Sequence, residues 1–177
     1  MKIIKDDLWL WYEQNWHIII PCNGFVNKVG ECVMKRGLAY QAKKLFGKLS
    51  IALGSLINAH GNHVFFFERQ RLITFPTKHS WRDTYSDLKL IEQSCKELTA
   101  MIKPFPSIKI AMPKVGCGAG KQEWKNIYPI INKYFGSLSD KQFVIIDNES
   151  GDCNQDFRGK NEKNIRGLDA KEEDVFI

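Results

Sequence analysis

A glycine-rich segment at residues 113–120 (PKVGCGAG) is the clearest candidate for binding an anion. Three glycines let the backbone bend closely around a ligand with its N–H groups directed inward, which suits a diphosphate. The phosphate-binding P-loop pattern does not fit, because the spacing from Gly116 to Gly120-Lys121 is one residue too short. The Rossmann pattern requires a different glycine spacing near the start of the chain. A simple tight turn remains the alternative for this segment taken alone.

Two other segments have compositions that suit a site. Residues 22–37 are long for a connection between a strand and a helix, and the helix that follows offers its N-terminus to an anion. Residues 75–82 (FPTKHSWR) contain Lys78 and His79, which are nucleophile or base candidates by residue type. The alternative for Lys78 is an ordinary surface lysine.

The elements that position these segments alternate between strands and helices. Apolar runs predict strands at residues 16–22, 63–68, 71–75, 107–112 and 142–146. The second and third runs form a hairpin, which we expect Pro76 to end. Apolar residues at spacings of three or four predict helices at residues 34–45, 49–57, 85–102 and 124–135. This alternation predicts an α/β fold with a mixed sheet between helix layers, and ligands of such sheets gather at the carboxyl ends of the strands.

Length and composition favour one domain. The chain has 177 residues, 44% of them hydrophobic, and lacks a Pro/Gly/Ser-rich linker. The apolar pattern fades near residue 149, so we expect a domain at residues 1–148 and a polar tail at residues 149–177, whose last three residues could dock.

The cysteines and the net charge limit the classes of protein to which the chain can belong. The five cysteines form no CxxC pair, which disfavours a disulfide framework or a zinc site and favours a reducing cytoplasm. Asp6 and Asp7 interrupt the start of the chain before a signal core could form, and no apolar run approaches a membrane span. The net charge of +6 favours polyanionic partners, although the charges are scattered.

Several of these segments together resemble the macrodomain family. The nearest likeness is to its branch of terminal ADP-ribose protein glycohydrolases and DNA ADP-ribosyl glycohydrolase antitoxins. The matching segments occur in family order between residues 5 and 147: KDDL (5–8), VMKRGLA (33–39), FPTKHSWR (75–82), SDL (86–88) and PKVGCG (113–118), with Trp124 after them.

The resemblance implies a three-layer α/β/α macrodomain that binds ADP-ribose without a metal or cofactor. Asp7 would accept a hydrogen bond from the adenine amino group, with Leu8 beside it, and Lys78 would act at the anomeric carbon of the distal ribose. The remaining ligand-binding positions implied are Asn27, Gly37, Val115, Gly116, Cys117, Gly118, Ala119 and Gly120.

Two departures from the family pattern bear on function. Ala119-Gly120 stand where the protein-directed members carry an aspartate, which favours the DNA-directed branch, and Lys35-Arg36 replace small residues. The leading expectation is a monomeric cytoplasmic hydrolase that removes ADP-ribose from a modified nucleic acid or protein. The alternatives are an ADP-ribose 1''-phosphate phosphatase, with His79 or Asn27 as helper, and a non-catalytic reader of ADP-ribose-type nucleotides.

Overall fold

The computed structural model describes residues 1–148 and 175–176. The strands in these residues are β1 (Lys2–Lys5), β2 (His17–Asn23), β3 (Phe65–Phe67), β4 (Leu72–Lys78), β5 (Ile110–Pro113), β6 (Phe143–Asp147) and β7 (Val175–Phe176). The helices are α1 (Leu8–Glu13), α2 (Gly37–Leu45), α3 (Leu49–His60), α4 (Leu88–Ile102) and α5 (Trp124–Phe135). Most of the tail expected at residues 149–177 therefore lies outside the described residues.

The strands form one mixed sheet in the order β1-β6-β5-β2-β4-β3-β7. The five strands from β1 to β4 in this order are parallel, whereas β3 is antiparallel to both β4 and β7. Along β2, Ile18 and Ile20 enter one core cluster and Ile19 enters the other, because successive side chains of a strand point to opposite faces. Residues of α1 and α3 fill the first cluster, and residues of α4 and α5 fill the second. The predicted three-layer α/β/α architecture is confirmed.

Several predicted element bounds need correction. The second helix begins at Gly37 rather than Met34, because Arg36 is extended at φ −145° and Met34 packs into the core from the preceding segment. The strand expected to end at Pro76 continues to Lys78. Pairing with β3 stops at Thr74, so the proline lies where β4 has a partner on one side only, and a missing N–H is tolerated there.

Other differences concern short elements. The strand predicted at residues 107–112 covers Ile110–Pro113, and Tyr85 precedes α4 rather than belonging to it. The sequence did not predict β1 or α1, which are only 4 and 6 residues long and too short to show a period. Among the described residues, no helix has the length and apolar character needed to cross a bilayer.

Parallel pairing brings the candidate loops together. Because β2, β4, β5 and β6 run in one direction, Asn23, Lys78, Pro113 and Asp147 all lie at the same edge of the sheet. Asn23, Lys78 and Pro113 each belong to one of the three segments predicted to form a site. The fold therefore places three loops that are distant in sequence around one edge.

Gly54 of α3 allows the long loop after β2 to pack against the helix. A Cβ added at Gly54 would collide with the main-chain oxygen of Gly30 and lie 2.8 Å from the Cys32 nitrogen. This nitrogen donates to the Ser50 carbonyl, so the loop is bound to the helix where their backbones approach.

We therefore expect Gly54→Ala to lower the free energy of unfolding by about 2 kcal/mol, because the main chain of the loop must move away from the helix. Urea denaturation followed by tryptophan fluorescence measures this loss. Asn58→Ala, at an exposed position of the same helix, is the matched control and should retain full stability. Equal stability of Gly54→Ala and the unmodified protein would contradict the proposed packing.

Candidate ligand-binding site

A cavity of about 820 Å³ lies at the carboxyl edge of the parallel strands. This volume falls within the range of small-molecule sites in proteins. Its walls come from the loop after β2 with the start of α2, the loop after β4, the glycine-rich loop after β5 and the end of β6.

Seven of the eleven residues predicted for the site line this cavity. They are Gly37, Lys78, Gly116, Cys117, Gly118, Ala119 and Gly120. Val115 does not, because its side chain is fully buried in the core under α4 and α5. Asn27 does not line it either, since its Oδ1 accepts hydrogen bonds from the Val29 and Glu31 nitrogens and shapes its own loop.

Asp7 and Leu8 lie next to one end of the cavity rather than in its wall. Asp7 is the N-cap of α1, and its Oδ1 accepts a hydrogen bond from the Trp9 nitrogen at 2.9 Å. The Leu8 nitrogen donates to Oδ1 of Asn148 at 3.2 Å, and Asn148 itself lines the cavity. The start of α1 is thereby joined to the cavity end formed by β6.

Glycine is required at two positions of the glycine-rich loop and not at a third. Gly116 has φ +76°, and a Cβ there would lie 2.9 Å from the Ile127 side chain. A Cβ at Gly120 would collide with Oγ of Ser86 and with the Gly116 carbonyl. Around Gly118, in contrast, a Cβ would meet no atom within 4 Å. The loop is therefore packed down at both ends and faces open space at its middle.

The Lys78 side chain joins two of the loops. It is 8% exposed, and its Nζ donates hydrogen bonds to the carbonyl oxygens of Asp83 at 2.7 Å and Ala119 at 2.8 Å. Burial lowers the pKa of the Lys78 amine, and the positive charges of Lys121 and Arg36 lower it further, against an opposing contribution from Asp83. Lys78 is therefore a buried amine with weakened basicity rather than an ordinary surface lysine.

Asn62 supports Lys78 from outside the cavity, and the sequence did not indicate this role. Its Nδ2 donates to the Lys78 carbonyl at 3.0 Å, and that oxygen also accepts from the Gly24 nitrogen at 3.2 Å. The Asn62 side chain fits only because Gly24 lacks a Cβ, which would lie 2.6 Å from Cγ of Asn62. In the sequence, Gly61-Asn62 is an unremarkable helix end, so only the packing exposes the connection.

The charge of the cavity wall suits an anion. Its cationic side chains are Lys35, Arg36, Lys78, Arg82, Lys114 and Lys121, whereas the carboxylates among its described residues are Asp83 and Asp147. Lys114 pairs with Asp147 at 2.5 Å, and Asp83 Oδ2 accepts hydrogen bonds from the His79 and Ser80 nitrogens. Both carboxylates are thus already engaged. Within residues 1–148 and 175–176, no cluster of three metal-ligating side chains occurs.

Two solved structures with the same fold are macrodomains of DarG proteins. The macrodomain of Thermus aquaticus DarG superposes with a TM-score of 0.65 at 23% identity, covering 82% of this chain and 96% of that one. The macrodomain of Mycobacterium tuberculosis DarG gives 0.65 at 22% identity, with the same coverage of 82% and 96%. The chain therefore has the macrodomain fold, and the resemblance drawn from its motifs is confirmed at this level.

Two further comparisons are with proteins from Thermosipho africanus. Thermosipho africanus DarTG in complex with ADP-ribose gives a TM-score of 0.66 at 21% identity over 81% of this chain and 40% of that one. A curated relative from Thermosipho africanus, a DNA ADP-ribosyl transferase–DNA ADP-ribosyl glycohydrolase fusion protein, is 32% identical over 66 residues. Those residues are 37% of this chain and 17% of the fusion protein. No family model matches the chain.

The packing of the glycine-rich loop predicts opposite outcomes for two adjacent substitutions. Gly120→Ala should lower the free energy of unfolding by about 2 kcal/mol, because the methyl group overlaps Ser86 and the Gly116 carbonyl. Gly118→Ala should unfold like the unmodified protein, since its methyl group enters open space. Thermal and urea unfolding of both variants tests the pair, and similar stabilities for the two would show that the loop is not packed as described.

Proposed function

We propose that this protein binds ADP-ribose in the cavity and hydrolyses the bond that joins ADP-ribose to a modified macromolecule. The favoured class of macromolecule is nucleic acid. The observation that carries the proposal is the buried Lys78 amine, which lies in the wall of a cationic cavity between two loops. Likeness to the DarG macrodomain of Thermus aquaticus and to Thermosipho africanus DarTG, whose structure is a complex with ADP-ribose, supports the choice of ligand.

The cavity offers two sets of main-chain N–H groups to a diphosphate. One set belongs to residues 116–120, where the backbone is free to approach a ligand at Gly118. The other is the first turn of α2, where Gly37, Leu38 and Ala39 line the cavity and Arg36 makes no side-chain cap hydrogen bond. Uncapped N–H groups at a helix N-terminus bind phosphate favourably, and the Arg36 side chain adds a positive charge.

This placement orients the rest of the ligand. The adenine lies at the end formed by Asn148, next to Asp7 and Leu8, and the distal ribose lies toward Lys78. Asp7 reaches the adenine amino group through the carboxylate oxygen that does not cap α1.

A lowered pKa increases the neutral fraction of the Lys78 amine, and only the neutral amine has the lone pair that a nucleophile needs. A neutral amine that donates two hydrogen bonds keeps its lone pair, and this pair can form a bond to the anomeric carbon as the bond to the leaving group breaks. The proton lost by the amine goes to the leaving group. Water then adds to the same carbon as the bond from this carbon to the lysine nitrogen breaks, and a proton from the water goes to that nitrogen, which releases ADP-ribose and restores the amine.

The aspartate expected in protein-directed relatives is replaced in this chain by a main-chain contact. Ala119 contributes a carbonyl oxygen that accepts a hydrogen bond from Lys78. The nearby Asp83 carboxylate is engaged by two backbone N–H groups. A mechanism that depends on lysine alone therefore suits this site better than a lysine–aspartate pair, which favours a nucleic acid leaving group.

The phosphatase alternative receives less support from the positions of its helpers. His79 is mostly exposed and contacts Asp87 at 3.2 Å, and neither His79 nor Asn27 is among the residues that line the cavity. We therefore retain the glycohydrolase as the proposed activity.

Ligand binding is tested by a charge placed at the open middle of the glycine-rich loop. We expect ADP-ribose to bind with a Kd of about 1 μM, and Gly118→Glu to abolish binding, because the carboxylate repels the diphosphate and fills its path. Titration calorimetry measures both. Gly118→Ala is the matched control and should bind normally, since a methyl group there meets open space. Unchanged affinity in a folded Gly118→Glu variant would place the ligand elsewhere.

Catalysis is tested by substitution of Lys78. Lys78→Ala should lose about 100-fold or more in kcat/KM on ADP-ribosylated single-stranded DNA, while retaining most of the affinity for ADP-ribose. Because the neutral amine is the reactive form, the rate of the unmodified protein should rise with pH and level off below the ordinary lysine pKa of about 10.4. Lys78→Arg keeps a cation between the two loops yet should remain inactive, because a guanidinium is not a nucleophile.

Three substrates make the turnover assay decisive: ADP-ribosylated DNA, ADP-ribosylated protein and ADP-ribose 1''-phosphate. Full activity of Lys78→Ala on any of them would remove the lysine from the mechanism. Binding of ADP-ribose without turnover of any of the three would replace the hydrolase with a reader.

A further inference from the structure

Four side chains from two loops interlock at the rim of the cavity. Lys35 Nζ lies 5.3 Å from the centre of the Trp81 ring, and the Arg82 guanidinium lies 5.3 Å from that ring and 5.8 Å from the Phe25 ring. Each separation is within the range of a cation–π contact. Phe25 and Lys35 belong to the loop after β2, and Trp81 and Arg82 to the loop after β4. We call these four residues the rim cluster.

The rim cluster is largely exposed, whereas a cluster that only stabilised the fold would be buried. Trp81 is 44% exposed although it is the largest type of side chain, and Lys35 and Arg82 are exposed as well. All three line the cavity from which the leaving group of the proposed reaction must project. An exposed indole at the mouth of a cavity is available to contact that group.

The two cationic side chains of the rim cluster lack an ion-pair partner among the described residues. Within residues 1–148 and 175–176, neither Lys35 nor Arg82 forms an ion pair, and Arg36 and Lys121 add positive charge to the same cavity. The nearest carboxylate in sequence, Asp83, is engaged by backbone N–H groups. Surfaces that bind unpaired nucleotides combine an aromatic ring with cationic side chains in this way. The bases stack on the ring, and the phosphates pair with the cations.

We propose that the rim cluster is the subsite that binds the single-stranded nucleic acid on either side of the ADP-ribosylated nucleotide. Its role in substrate selection rests on the proposed function of the cavity. A cation–π contact at an exposed site is weaker than the stacking of a base on an aromatic ring. A base therefore displaces the Lys35 ammonium from Trp81, and the freed ammonium pairs with a phosphate.

The surface suits nucleotides better than an acidic peptide. Carboxylates require only the cations, whereas the exposed Trp81 face contributes to binding when a flat base lies on it. A base within a duplex is already stacked on both sides, so the strand that binds must be single.

Binding of unmodified oligonucleotides tests the subsite without requiring turnover. Fluorescence anisotropy with short labelled single-stranded DNA, and with RNA of the same sequence, should show about tenfold weaker binding for Trp81→Ala. Trp81→Phe should restore most of the affinity. Tyr85→Ala is the matched control, because Tyr85 is 60% exposed four positions along the chain and does not line the cavity.

The salt dependence of oligonucleotide binding distinguishes the contribution of the two cations from that of the Trp81 ring. For single strands, Lys35→Gln and Arg82→Gln should each reduce the slope of log Kd against log salt by about 0.7. Lys28→Gln, an exposed lysine of the loop after β2 outside the cavity, should leave the slope unchanged. A double-stranded oligonucleotide should bind with no dependence on Trp81.

Calorimetry with free ADP-ribose separates failure of this proposal from failure of the proposed function. Trp81→Ala should lose much less affinity for ADP-ribose than for the single-stranded oligonucleotide, because Trp81 lies at the rim of the cavity. The subsite is overturned if single-stranded oligonucleotides do not bind at low salt, if Trp81→Ala binds them normally, or if it loses ADP-ribose affinity equally. Trp81-dependent binding of an acidic peptide as tight as that of DNA would also overturn it. Absence of ADP-ribose binding by the unmodified protein would instead reject the proposed function, whatever the oligonucleotides do.

Discussion

Two hydrogen bonds from the Lys78 amine hold together the loops on which the candidate site depends. The acceptors are main-chain oxygens of Asp83 and Ala119, which lie on different loops, and the amine reaches both because β4 carries Lys78 to the edge of the sheet. Burial of the side chain between these loops lowers the pKa of the amine, and the charges of Lys121 and Arg36 lower it further. The loops that enclose Lys78 thus also set its basicity.

The parallel part of the sheet makes this arrangement possible. The register of β2 against β4 aligns Asn23 with Lys78, and Asn62 donates from behind to the Lys78 carbonyl. The glycine-rich loop is fixed at its two ends by close packing on Ile127 and Ser86, whereas its middle stays open. The cavity is therefore lined by a loop that is packed at both ends and by the start of α2, which is the form expected of a pre-organised anion site.

The sequence predicted the layers of the fold and the loops of the site because both depend on local patterns. Helical spacing in α4 and α5 and the apolar runs of the central strands were sufficient for the architecture. The sequence could not predict that Asn27 shapes its own loop, because this depends on how the loop folds back on itself. It also could not predict that Asn62 supports Lys78, because these residues are distant in sequence and meet only in the folded protein. The prediction that β4 ends at Pro76 was wrong, because a proline is tolerated where one side of a strand is unpaired.

A crystal structure of the protein in complex with ADP-ribose would show whether the cavity binds this ligand and in which orientation. We expect the diphosphate against the main-chain N–H groups of residues 116–120 and of the first turn of α2. The adenine should lie beside Asp7 and Asn148, and the anomeric carbon of the distal ribose should lie within reach of Lys78 Nζ. A ligand bound outside the cavity, or bound in the reverse orientation with its adenine at Lys78, would contradict this expectation.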